Sequence, residues 1–290
     1  MAVTGRFPPV VVGVDGSPAA DAAAHEAADE AHRRLLPLRL VHAFDWPAAP
    51  GTGPAPGRAA ARRAASAHLW SVQEAVLAEH PGTPVSAAVV DGRAAEVLLA
   101  EAAGAELLVL GAHGTGPLAG VLGPVRAAVV RGCPCPVLSA AARRPGPGPR
   151  GPVVAALGGD QRHDSRLLAA AVLEAGTCGT GLTVVDLRHD PAGGEEPDPR
   201  LAALVGQLRQ TAPGVPVYLT RSGGPALSGS PTAGDAALLV VGRGRPDQPL
   251  DATVRAALGQ AEVPVLVVPS APVDRGRSRV RALAAAAHGR

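Results

Sequence analysis

Short apolar runs alternate along this chain with longer segments whose apolar residues recur at helical spacing, the pattern of β-strands alternating with α-helices. VVVGVD (10–15) is the first run, continuous enough to be buried on both faces, and it stops at GSP, where Ser17 can cap a helix that begins on Pro18. The Ala-rich stretch AADAAAHEAADEAHRRL then has high helix propensity. A strand LRLVHAF (38–44), a Pro/Gly-rich loop (45–57) and a long amphipathic helix (58–80) follow. The half closes with a strand at 84–90, a helix at 94–103, a strand at 106–110, a glycine loop, a short helix at 125–131 and a strand PVLSA at 136–140.

The same order recurs further on: strands at 152–157, 182–187, 216–220, 237–241 and 264–268, helices near 161–175, 199–210 and 249–260, and a weak Gly/Pro-rich segment at 223–234. Alternation of this kind implies parallel sheets built from right-handed crossovers. Pairing Asp15 with Gly158 gives an offset of 143 residues, Gly111 with Gly242 one of 131, and Pro136 with Pro264 one of 128, so the second copy is shorter, chiefly before its fourth strand. RRPGPGPRGP has linker composition. The division is therefore 1–142 for a first domain, 143–151 for a linker, 152–270 for a second domain and 271–290 for a basic Ala/Arg-rich tail.

Composition narrows the chemistry. The 290 residues include no Lys, Asn or Ile, so a Walker A lysine and a Schiff-base amine are both missing. Two Phe, two Trp and one Tyr argue against stacking of nucleic-acid bases. The net charge of +2 is spread over both halves, no long apolar span is present, and the first residues do not form a secretion signal; the expectation is a cytoplasmic protein with neither nucleic-acid nor membrane partners. Three cysteines fit a reducing compartment, with Cys133 and Cys135 read as small apolar residues entering a strand ahead of a redox or metal pair.

Open parallel sheets bind ligands beyond the carboxyl ends of their strands. In the first half those ends carry Gly13 to Ser17, His42 to Phe44, Asp91-Gly92 and Gly111 to Gly114. An acidic residue there can accept bonds from ribose hydroxyls, and glycines before a helix let backbone amides approach phosphate. The stretches VVVGVDGSPAADAA, LRLVHAF, VVDGRAAEVLLAEAAGAELLVLGAHGTGPLAGVLG and CPVLSA, in this order over residues 8–141, resemble the universal stress protein family, and the likeness continues more faintly through 151–270 as in its tandem members.

That resemblance implies two tandem five-stranded parallel-sheet domains, Rossmann-like and of the adenine nucleotide alpha hydrolase type, with ATP as the ligand of nucleotide-binding members. It implies Gly13 and Asp15 at the first strand with Asp15 toward ribose, Ala43 near adenine, Gly111, His113 and Gly114 around ribose and phosphates, and Gly123 and Val125 completing the phosphate cradle. The family pattern is G-x-x-G, nine residues, then G followed by Ser or Thr. Here eight residues separate Gly114 from Gly123, and Pro124 replaces the hydroxyl, removing a backbone donor as well. His113 and nearby arginines are candidates to offset that loss. In the second half Gly158 stands where Asp15 would be, and Asp160, in place of Ser17, would repel phosphate; this copy reads as a scaffold or pairing partner.

The expectation is a stress-response regulator binding ATP or another adenine nucleotide in its first domain with weakened phosphate contacts. The alternative is a scaffold of the same family that binds no nucleotide. Catalysis has the least support, at most a slow ATPase, because no base stands beside an activated nucleophile. His42 reads as a satisfied core residue, Asp91 and Glu96 as turn and helix-start residues, and Trp46 as either a cover for adenine or packing against the long helix. Self-association through edge strands and pairing of the two domains within one chain both remain open.

Overall fold

The computed structural model describes residues 7–46, 57–112, 123–141, 151–158, 161–187, 198–221, 235–244, 250–260 and 263–270. The linker 143–150, the segment 223–234 and the tail 271–290 lie outside them. The first half runs β1 (Val10–Gly13), α1 (Pro18–Arg34), β2 (Leu38–Phe44), α2 (Arg58–Glu79), β3 (Val85–Asp91), α3 (Ala94–Ala102), β4 (Leu107–Leu110), α4 (Pro124–Gly132) and β5 (Val137–Ser139). The second runs β6 (Val153–Leu157), α5 (Gln161–Cys178), β7 (Leu182–Asp186), α6 (Pro199–Thr211), β8 (Val217–Arg221), β9 (Leu238–Gly242), α7 (Ala252–Gln260) and β10 (Val265–Val268).

Both halves order their strands alike, and together they make one ten-stranded sheet, β3-β2-β1-β4-β5-β10-β9-β6-β7-β8. Neighbouring strands are parallel within each half. Between the halves β5 and β10 pair antiparallel, with Leu138 opposite Leu266. Intramolecular pairing is thus the arrangement this chain adopts.

Burial follows from the pleat. Val10 and Val12 face the α1 and α2 side while Val11 faces α3 and α4, and all three are fully buried. The core beneath each face continues from one half to the other, since Leu138 and Leu266 belong to the same cluster, as do Val137 and Val267. Polar contacts reinforce the junction on both faces. On the first, Arg34 of α1 holds Glu174 of α5 through one nitrogen at 2.6 and 2.7 Å. On the second, Arg126 of α4 donates to the Leu258 carbonyl of α7 at 3.2 Å, and Arg243, after β9, donates to the Cys133 carbonyl that ends α4.

Local chemistry sets the element ends. β1 stops at Gly13, short of the expected residue 15, because the Asp15 carboxylate turns back to accept the Ser17 N–H at 2.9 Å. Gly16, at φ +88°, carries the turn in a conformation that favours glycine. Ser17 then caps α1, its hydroxyl accepting the Ala20 N–H at 3.2 Å, with Pro18 at the first helical position. Replacing Ser17 by Ala is expected to lower stability by about 1 kcal/mol in urea titration. α7 starts at Ala252 rather than at 249 because Asp251 caps it, accepting the Val254 N–H at 2.8 Å. Cys133 and Cys135 are buried with their sulfurs 3.5 Å apart, beyond disulfide bonding distance.

Candidate functional site

From β1 the chain moves outward through β2 to β3 on one side, and β4 and β5 lie on the other, so strand order reverses between β1 and β4. A crevice opens at that point, beyond the carboxyl ends of the strands. It is a cavity of about 290 Å³. β1 and its turn contribute Gly13 and Asp15, β2 contributes Ala43, Gly111 follows the last residue of β4, and the start of α4 brings Gly123 and Val125. Six residues singled out in the sequence therefore line one cavity, although they are spread over more than 110 positions. His113 and Gly114 lie outside the described residues.

The glycines have distinct reasons. A Cβ on Gly111 would stand 2.9 Å from the Ala19 carbonyl oxygen and 3.1 Å from the Ala20 nitrogen, so only a bare Cα lets the end of β4 approach the first turn of α1. A Cβ on Gly13 would meet the Leu98 side chain at 3.1 Å, a softer limit.

Two helix N-termini point at the cavity, and they differ. The first turn of α1 is already occupied by the Ser17 hydroxyl. α4 begins at Gly123 with no side-chain cap; Pro124 supplies no N–H, and the first helical bond is Ala127 N–H to the Gly123 carbonyl. The Val125 amide precedes that bond, and its direction and the helix dipole suit an anion. The remaining walls, among them Val41, Leu98 and Leu110, are apolar.

Two charged side chains occur among the described residues of the wall, the exposed Asp15 and the buried Arg126, which is 8% exposed. Burial lowers the Arg126 pKa to about 10, leaving the guanidinium protonated at neutral pH. It donates to the Ser139 hydroxyl as well as to Leu258. Sequence reading did not single out Arg126, because burial of a polar-face residue in a short helix is decided by a distant part of the chain.

Other candidates stand apart from the cavity. Trp46 stacks on Phe44, ring centres 6.0 Å apart, and Arg62 of α2 covers the Phe44 ring at 5.6 Å. Asp91 pairs with Arg58 and Arg62, each at 2.7 Å, beside the Gly92 turn, and Glu96 sits in the first turn of α3. His42 departs from the expected satisfied core histidine: its Nδ1 is buried with no hydrogen-bond partner among the described residues.

The second half has a cavity of about 210 Å³ at the matching place, between the ends of β6 and β9. Its chemistry is different. The His163 imidazole lies where a Cβ on Gly242 would stand, and Asp164 and Asp251 line the wall. Gly158 occupies the position matching Asp15, and Asp160 is outside the described residues.

A sequence model described as the universal stress protein family matches residues 6–140. A universal stress protein of Mycobacterium tuberculosis is 38% identical over 136 residues, which make up 46% of this chain and 45% of that protein. The chain thus spans less than half the length of such relatives. Among solved structures, a universal stress protein from Archaeoglobus fulgidus superposes with a TM-score of 0.68 at 14% identity, over 92% of this chain and all of that one. A putative universal stress protein from Pseudomonas aeruginosa gives 0.61 at 21% identity, over 91% and 93%. These two matches show the fold, and they extend it across both halves. No helix among the described residues is long and apolar enough to cross a membrane. The first half of the chain thus matches the universal stress protein family model, and the second half repeats the same α/β fold.

Proposed function

We propose that the first half binds an adenine nucleotide as a regulatory ligand in a stress response, with the second half acting as its built-in pairing partner. The observation that carries this reading is the convergence of Gly13, Asp15, Ala43, Gly111, Gly123 and Val125 on one cavity at the strand-order reversal. In it the Asp15 carboxylate takes ribose hydroxyls, the apolar walls near Val41 and Ala43 take the base, and the start of α4 takes phosphate. ATP is the ligand to try first.

Pro124 favours a second reading, a scaffold without nucleotide, because the cradle loses an amide and a hydroxyl there. Each lost bond to a charged group is worth roughly 1.5–3 kcal/mol. Calorimetric titration of nucleotide-free protein with ATP and ADP separates the two. The expected result is one site per chain, weakened about tenfold by Asp15→Ala. Absence of heat at millimolar ligand would leave the scaffold.

A further inference from the structure

We propose that Gln73, Arg62 and Arg209 close the two ends of the ten-stranded sheet against strand addition, and that the partner they exclude is a second copy of this chain pairing edge to edge. β3 and β8 are those ends, each hydrogen-bonded to a single neighbouring strand. The Leu38 N–H donates to the Pro84 carbonyl at 2.8 Å, and the Leu182 N–H to the Pro216 carbonyl at 2.8 Å, so residues 84 and 216 turn their carbonyls inward. Backbone groups alternate along a strand, so Val85, Ala87 and Val89 of β3 and Val217 and Leu219 of β8 turn theirs outward. Such a row is a template for another chain unless something occupies it.

Side chains of the covering helices occupy it. Gln73 of α2 donates through Nε2 to the Val85 carbonyl at 3.3 Å, and Arg62 of the same helix donates to the Val89 carbonyl at 3.0 Å. In the second half, Arg209 of α6 donates to the Val217 carbonyl through Nε at 3.0 Å and a terminal nitrogen at 2.8 Å. Val85 and Val217 each open their strand, so the same carbonyl is covered in both halves, by an amide in one and a guanidinium in the other. Coverage follows edge length: among the described residues the seven-residue β3 has two carbonyls covered in this way and the five-residue β8 has one. Arg62 is further fixed in place by its bond to Asp91 at 2.7 Å. An incoming strand must displace these side chains, and forfeit their bonds, before it can make its own.

The test is sedimentation velocity of the full chain at rising protein concentration. The wild type is expected to keep the monomer mass. Arg209→Ala frees β8 alone, and two such edges meet across a twofold axis, so its association stops at twice that mass. Combining Arg209→Ala with Gln73→Ala and Arg62→Ala frees both ends, and the species then lengthen with concentration without a limiting size. Arg209→Gln, which keeps a donor of the kind that serves at Val85, retains the monomer. The inference is overturned by a wild type that exceeds the monomer mass, by a triple variant that does not, or by Arg209→Ala chains that stay single or grow past the dimer. Arg209→Gln chains that associate as Arg209→Ala does overturn it as well. Alanine suits a helix, so these variants are expected to fold, and circular dichroism melting checks that they do. If the triple variant does not fold because Arg62 also holds Asp91, Gln73→Ala with Arg209→Ala decides by the same outcomes.

Discussion

Replacing Leu266 by Asp is expected to lower the unfolding free energy of the whole chain by about 4 kcal/mol or more, and to do so for both halves together. Leu266 is 2% exposed, lies between β5 and β9 and faces Leu138 across the antiparallel junction. Truncating a buried leucine alone costs about 2–5 kcal/mol. Aspartate adds an ionised carboxylate in an apolar environment, the buried cluster that also holds Leu138, Val240 and Val268. The junction is one continuous core, so wild-type urea unfolding should be a single transition seen alike by far-ultraviolet dichroism and by fluorescence of Trp46 and Trp70, both in the first half. If Leu266→Asp melts the second half while the tryptophan signal keeps its wild-type midpoint, the halves fold independently and the junction is only a contact.

Gly111→Val is expected to cost about 3 kcal/mol of stability and to abolish ligand binding in the first-half cavity. The clash is with backbone. The valine Cβ would meet the Ala19 carbonyl and the Ala20 nitrogen, which Ser17 holds in the first turn of α1. Neither can swing aside as a side chain would, so α1 and β4 must part at the mouth of the cavity. Gly242 provides the contrast, because an added Cβ there meets the His163 ring, and a rotamer change relieves it. Gly242→Val should therefore cost clearly less in the same urea titration. Equal losses at the two glycines would remove the case for a backbone limit at Gly111.

Much of this fold was legible because the strands β1, β4, β6, β9 and β10 are short runs of Val, Leu and Ala, buried on both faces and so unbroken by polar residues. Ser17-Pro18 announced the start of α1 for a chemical reason, a hydroxyl for an orphan amide and a residue that needs none. The cavity was legible at Asp15 and Gly111, since sheet order places those strand ends side by side. The β5–β10 junction was not. PVLSA and PVLVV are apolar runs with no mark to say whether each meets its counterpart in the same chain or in another copy. Arg126 escaped for a similar reason: Leu258, which it meets, is 132 residues away. The His163 ring over Gly242 also depends on how two elements approach, and periodicity carries no trace of it.

The covalent join between the paired halves changes how each can vary. In a symmetric dimer of separate chains, every substitution is made twice, and a cavity cannot be altered on one side while being kept on the other. Here position 15 is Asp while its counterpart 158 is Gly, and Ala20 corresponds to a histidine at 163. The paired architecture therefore holds two unlike cavities rather than two copies of one. A ligand that fits only the first should saturate along a simple hyperbola, because the identical second site that cooperativity between like sites requires is missing.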